Sequence, residues 1–118
     1  MSLRRAQIAG VGRALPSTRV TTQGCEDKGD PTDEWTRDRT GIVARHFADE
    51  GTNTSDLSAE AALKALESAG IEASDLDLII VSTLTPDRHL PATAVLVQQK
   101  LGVACPAFAL TAARSGVS

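Results

Sequence analysis

Apolar and polar positions fall in blocks along this chain, and the blocks change period. AQIAGVG, residues 6–12, is a short apolar run and predicts a buried first strand. RALPSTRVTT follows, punctuated by Pro16, and predicts an extended loop. Residues 22–34 are polar and carry Gly24, Gly29 and Pro31, which predicts a loop with at most one weak turn of helix. Residues 35–39 predict a short helix with Thr32 or Asp33 as its N-cap. GIVARHF, residues 41–47, reads as a strand or hairpin arm.

The clearest element is SDLSAEAALKALESAG. Ser55 is a suitable N-cap, Leu57, Ala61, Ala62, Leu66 and Ala69 recur at helical spacing, and Gly70 ends the helix. In DLDLIIVSTLTP, the run Leu78, Ile79, Ile80 and Val81 is too short for a lone helix and predicts a strand buried on both faces. Pro91 opens a second helix, PATAVLVQQKLG, closed by Gly102. CPAFALTAA predicts a third buried strand that runs into the turn TAARSGVS. The order is strand, irregular loop, helix, strand, helix, strand, turn. It predicts an α/β fold, with a parallel or mixed sheet, right-handed crossovers and helices on its faces. Residues 1–118 read as one portion of such a domain. The last strand ends where open α/β sheets place their ligands.

Composition narrows the chemistry. The chain has 118 residues, 42% of them apolar, and a formal charge of −3, so it lacks the basic footprint of a nucleic-acid binder. Trp35, Phe47 and Phe108 are the only aromatic residues, so the core must be aliphatic. No apolar run is long enough to span a membrane. Cys25 and Cys105 form no metal spacing or CxxC pair, and a reduced cytoplasmic setting is the default expectation. Cys105 reads as a small buried hydrophobe, and Cys25 as an oxidisable thiol in a polar loop. His46 and His89 have no ligand partners at metal spacing, and no metal is expected. Asp75 and Asp77 read as solvated or capping residues. Gly10-Val11-Gly12 falls short of a dinucleotide fingerprint, because Leu15 stands where a third glycine is needed; a structural turn is expected. Trp35 has two readings of equal weight. It is a loop anchor, or it is a stacking platform for a flat ring with Arg37 and Arg39 near phosphates.

Several segments together resemble one family. They are IAGVGRALPSTRVT, TDEWTRDRTGIVARHFAD, SDLSAEAALKALESAG, DLDLIIVSTLTPDRHLPATA, VQQKLG and AFALTAARSG. Their order and the spacing of DEW and RTGI are similar to those of the 3-oxoacyl-(acyl-carrier-protein) synthase III enzymes of the thiolase superfamily. The resemblance runs along nearly the whole chain and covers only the first part of a typical member. It implies a thiolase-like α/β fold, here the N-terminal part and incomplete, in a homodimeric enzyme. Such enzymes load an acyl group, typically from acetyl-CoA, onto a cysteine and condense it with malonyl-acyl-carrier protein to begin fatty acids. Acyl-CoA is then a substrate, acyl-carrier protein a partner, and no covalently bound cofactor is implied.

Residue by residue, the resemblance implies that Trp35 stacks on the adenine of coenzyme A and that Arg39 lies beside its phosphates. Leu90 takes the position that reaches across the dimer to close the partner's acyl pocket, where an aromatic residue is common. Pro31 replaces a threonine that helps to hold the adenine. Arg114 takes the position of the nucleophilic cysteine, so AACSG reads AARSG. Arginine stays protonated and forms no thioester. At the positive end of the expected helix its charge is also repulsive, and burial unpaired costs on the order of several kcal/mol. Ala109 and Val117 depart from the pattern too, while Leu110, Ala112, Ala113, Ser115 and Gly116 keep it, which fits substitution better than a shifted frame. The family's downstream histidine and asparagine match no residue here. The resulting expectation is the truncated N-terminal portion of a synthase, inactive in condensation. Its alternatives are a non-catalytic paralogue that binds coenzyme A or docks on a partner, and a decayed remnant.

Overall fold

The first apolar run forms no strand. In the computed structural model, which describes residues 3–27 and 32–112, residues 3–16 belong to no helix or ladder, and Ile8 is 87% exposed. Gly10 and Gly12 are not needed for a turn. They let this segment lie directly on the helix α3 (Thr54–Ala69), where a Cβ on Gly12 would stand 2.2 Å from the Ala61 carbonyl oxygen. A Cβ on Gly10 would stand 2.5 Å from the Ala65 carbonyl oxygen. The small residues Ala61, Ala65 and Ala69 supply the other side of that close approach.

The chain divides into two compact units, one being Leu15–Thr52 and the other the residues on either side of it. In the Leu15–Thr52 unit, β1 (Thr18–Thr21) pairs antiparallel with β2 (Ala44–Phe47), with Thr18 opposite Phe47 and Thr21 opposite Ala44. The expected loop is therefore a strand at TRVT; Thr and Val are residues that fit a half-exposed ladder. The Asp49 carboxylate accepts hydrogen bonds from Ser17 Oγ (3.0 Å) and Thr18 Oγ1 (2.6 Å) and ties the ends of the pair. Between the strands lie α1 (Thr22–Glu26) and α2 (Asp33–Thr40). Helix α1 is the single short turn expected, and Gly24 does not abolish it because the Thr21 hydroxyl caps it by accepting from Gly24 N. Thr22, Cys25 and Thr36 are buried in this unit. Cys25 is 1% exposed, so it is not the solvent-facing loop thiol expected from its polar neighbours.

In the other unit α3 starts one residue before the predicted cap. Asn53 is the N-cap, its N–H donating to Asp56 Oδ2 at 2.9 Å, and Gly70 closes the helix at φ 68°. Ser55 is instead buried in the first turn. A 3-10 turn at Ala73–Asp75 follows, in which Asp75 accepts from Glu72 N, the capping role expected of it. Then come β3 (Ile79–Ser82), α4 (Thr93–Leu101) and β4 (Ala107–Leu110). Strands β3 and β4 are parallel, with Ile79 opposite Ala107 and Ile80 opposite Phe108. Helix α4 begins at Thr93, not at Pro91, and the Leu90–Pro91 peptide is cis.

The core is aliphatic. Ile79, Ala94 and Val97 form it, with Leu76, Val81, Leu101, Val103, Cys105 and Ala107 packed around them. Helix α4 covers one face of the β3–β4 pair and also packs on α3. The opposite face is uncovered among the described residues: Ile80 is 53% exposed and Phe108 beside it is also exposed. The prediction of a strand buried on both faces therefore fails for Ile80.

Candidate functional site

Helix α2 carries the densest set of candidate residues. Thr32 caps it, its Oγ1 accepting from Trp35 N at 3.3 Å, and Gly41 ends it at φ 70°. Asp33 and Glu34 in the first turn and Arg37 and Arg39 in the last match the helix dipole. Arg37 Nε donates to Asp33 Oδ2 at 2.8 Å, one turn away. That guanidinium first, and the Thr22 hydroxyl second, hold the Asp33 carboxyl below its ordinary value. Arg37 is thus engaged within the helix. Arg39 is placed differently: four residues on from Trp35, its guanidinium carbon lies 5.7 Å from the centroid of the indole. Trp35 itself is 51% exposed. The helix therefore presents a flat aromatic surface and an adjacent cation.

Leu90 belongs to the other unit, and it is 84% exposed. The segment that carries it is fastened on both sides by contacts that sequence reasoning missed. Asp87 Oδ1 accepts from Ser55 N (2.8 Å) and Asp87 Oδ2 from Ser55 Oγ (2.5 Å). Asp87 N donates to Thr93 Oγ1 at 3.2 Å. Thr54 Oγ1 donates to the Thr85 carbonyl at 2.6 Å. A signal was available: polar Thr83, Thr85 and Asp87 follow directly after a buried strand, where the chain must turn and satisfy backbone groups.

Arg114 and Val117, like Pro31 and Gly29, lie outside the described residues. Ala109 is exposed on β4. His46, on β2, and His89 are both exposed. A cavity of about 500 Å3 lies beside Asp77, Leu101, Cys105 and Pro106, and neither Leu90 nor either histidine lines it.

The comparisons with known proteins bear on the whole chain. No protein-family model matches it. The beta-ketoacyl-(acyl-carrier-protein) synthase III of Neisseria meningitidis is 50% identical over 113 residues, which is 94% of this chain and 35% of that protein. The same enzyme of Xylella fastidiosa is 52% identical over 112 residues, again 94% of this chain and 35% of that protein. The crystal structure of synthase III from Thermus thermophilus superposes with a TM-score of 0.76 at 36% identity, over 89% of this chain and 33% of that one. The chain matches the N-terminal part of synthase III. Its fold is the thiolase-like α/β arrangement of that region of synthase III, as the sequence resemblance implies. It spans about a third of the length of the synthase III relatives it matches. Among the described residues no helix is long and apolar enough to cross a membrane.

Proposed function

We propose that this chain supplies the coenzyme A-recognising part and the acyl-pocket rim of a synthase III-type acyltransferase of fatty acid synthesis, and that it carries no condensing nucleophile of its own. The observation that carries the reading is the half-exposed Trp35 with Arg39 beside its ring on one capped helix. A flat aromatic face takes an adenine by stacking, and a guanidinium beside it takes phosphate oxygens. Leu90 is the residue at the rim, presented to a second copy of the chain. Acyl-CoA is the substrate class, acyl-carrier protein the acceptor's carrier, a homodimer the assembly and the cytoplasm the setting. With arginine at position 114 the thioester step has no sulfur where synthase III would place it.

Titration with coenzyme A tests the binding half. Trp35 is the only tryptophan, so its fluorescence reports directly. Saturable quenching that weakens at least tenfold in Arg39→Ala is the expected result, and no change at millimolar ligand refutes it. Incubation with radiolabelled acetyl-CoA tests the other half. No hydroxylamine-sensitive label is expected on the chain, and a labelled thioester refutes the assignment.

A further inference from the structure

The stretch between β3 and α4 has to leave the end of a strand and re-enter the molecule as a helix. It is fastened first at Thr83, whose N–H donates to the Leu110 carbonyl at 3.0 Å, and then at Thr85, held by Thr54. The next fastening is Asp87, and it differs in kind. Its carboxylate takes both the N–H and the hydroxyl of Ser55, and its own N–H goes to the Thr93 hydroxyl. Ser55 and Thr93 are both buried, so these bonds are shielded from competing water. One residue thereby joins the first turn of α3 to the first residue of α4.

The consequence falls on residues 88–92. Asp87 at one end and Thr93 at the other are bonded to each other, which closes the excursion between them into a loop. Leu90 stands in the middle of that loop, its side chain out in solvent. An exposed leucine on a loose loop would sample many positions; on a loop closed at its base and anchored to two helices it samples few.

We propose that Asp87 is a positioning residue: it fixes where Leu90 stands and so sets the room left for the acyl group. The second clause rests on the reading that Leu90 rims the acyl pocket; the first does not. In this role Asp87 acts through Leu90.

The test uses Asp87→Asn, Thr93→Val, which removes the hydroxyl at nearly constant volume, and Leu90→Ala. Amide order parameters are measured for Arg88, His89 and Leu90, with hydrogen exchange across Ile79–Ser82 and at Leu66. Affinities for acetyl-CoA and hexanoyl-CoA are measured on the same samples. In Asp87→Asn and Thr93→Val the order parameters of 88–90 are expected to fall from a rigid value near 0.85 to below about 0.6. Exchange protection elsewhere is expected to stay within about threefold. The hexanoyl-to-acetyl preference is expected to shift by about threefold or more, in the same direction as in Leu90→Ala. Unchanged order at 88–90 overturns the proposal. So does an equal loss of protection at Leu66 and across Ile79–Ser82, which a merely structural role produces. A shift in Leu90→Ala that Asp87→Asn does not share overturns the link from Asp87 to the acyl group. If Leu90→Ala leaves the preference unchanged, or neither ligand binds, the acyl-pocket reading fails and with it the proposal's second clause, while the order parameters still decide the first.

Discussion

Replacing Gly12 by alanine adds one methyl group at a place where the structure leaves no room for it. The new Cβ would stand 2.2 Å from the Ala61 carbonyl oxygen and 2.4 Å from Ala65 N, and both are backbone atoms of α3. Neither can swing aside as a side-chain end could. Ordinary contact begins at 3.4 Å, so the approach must open by 3.4 − 2.2, about 1.2 Å. A gap of about 1 Å forfeits up to half of the dispersion energy along the contact. Overpacking of this kind typically costs about 1–3 kcal/mol. Against it stands a gain of about 0.4–1 kcal/mol, because alanine restricts the unfolded chain more than glycine does. The cost wins, and the net expectation is a loss of about 1–2 kcal/mol. Gly10→Ala follows the same logic with a slightly smaller gap, its nearest atom being 2.5 Å away. Gly51→Ala is the control: its φ is 87° and nothing lies within 4 Å, so only backbone strain acts, and it acts in the other unit. Urea denaturation followed by circular dichroism gives the stability. Amide exchange along α3 shows whether the N-terminal segment has lifted. Wild-type stability in Gly12→Ala, with amide exchange along α3 unchanged, would refute the reasoning.

Three further outcomes follow from the packing and the charges. Val97→Ala empties part of the aliphatic core and is expected to cost about 1.5–3 kcal/mol by urea denaturation; a cost under about 0.5 kcal/mol would mean that α4 does not seal that face. Thr32→Ala removes the cap that accepts from Trp35 N and is expected to cost about 1 kcal/mol, seen as increased tryptophan mobility in fluorescence anisotropy. Asp33, Asp49 and Asp56 are all held below the ordinary aspartate value, chiefly by Arg37, Thr18 and Lys100 respectively. A depressed folded value means that the unfolded chain binds more protons, so their contribution is full above about pH 5 and is lost as the pH falls toward about 2. Urea midpoints that stay flat across that interval would contradict these assignments.

The sequence is most legible where local chemistry and tertiary packing agree. Helix α3 shows its apolar spacing, and the end at Gly70 needs only the left-handed residue that glycine supplies. The cap of α2 was legible to within one residue, Thr32 or Asp33, because a capping side chain acts within three residues; Thr32 is the one that caps. The failures share a different cause: they depend on partners far away along the chain. AQIAGVG has the composition of a strand, but what decides its conformation is the bare backbone that α3 offers at Ala61 and Ala65. TRVT becomes a strand only because ARHF lies opposite. Ser55 has the right chemistry for a cap and is drawn instead to Asp87, thirty-two residues on. At the candidate site, Trp35 was legible as a stacking platform with Arg37 and Arg39 near it, and only the resemblance singled out Arg39; the closure of the Leu90 loop was not legible.

The two cysteines divide between the two units, and they differ in accessibility. Cys25 is sealed inside Leu15–Thr52, and Cys105 sits half-exposed at the edge of the other core. An alkylating reagent applied in brief pulses therefore meets two clocks in one molecule. Cys105 takes the label at a rate set largely by its own surface. Cys25 takes it only during openings of its own unit, at the frequency of those openings. The mass spectrum of a single time course then separates the breathing of one unit from that of the other, with no probe added to the chain.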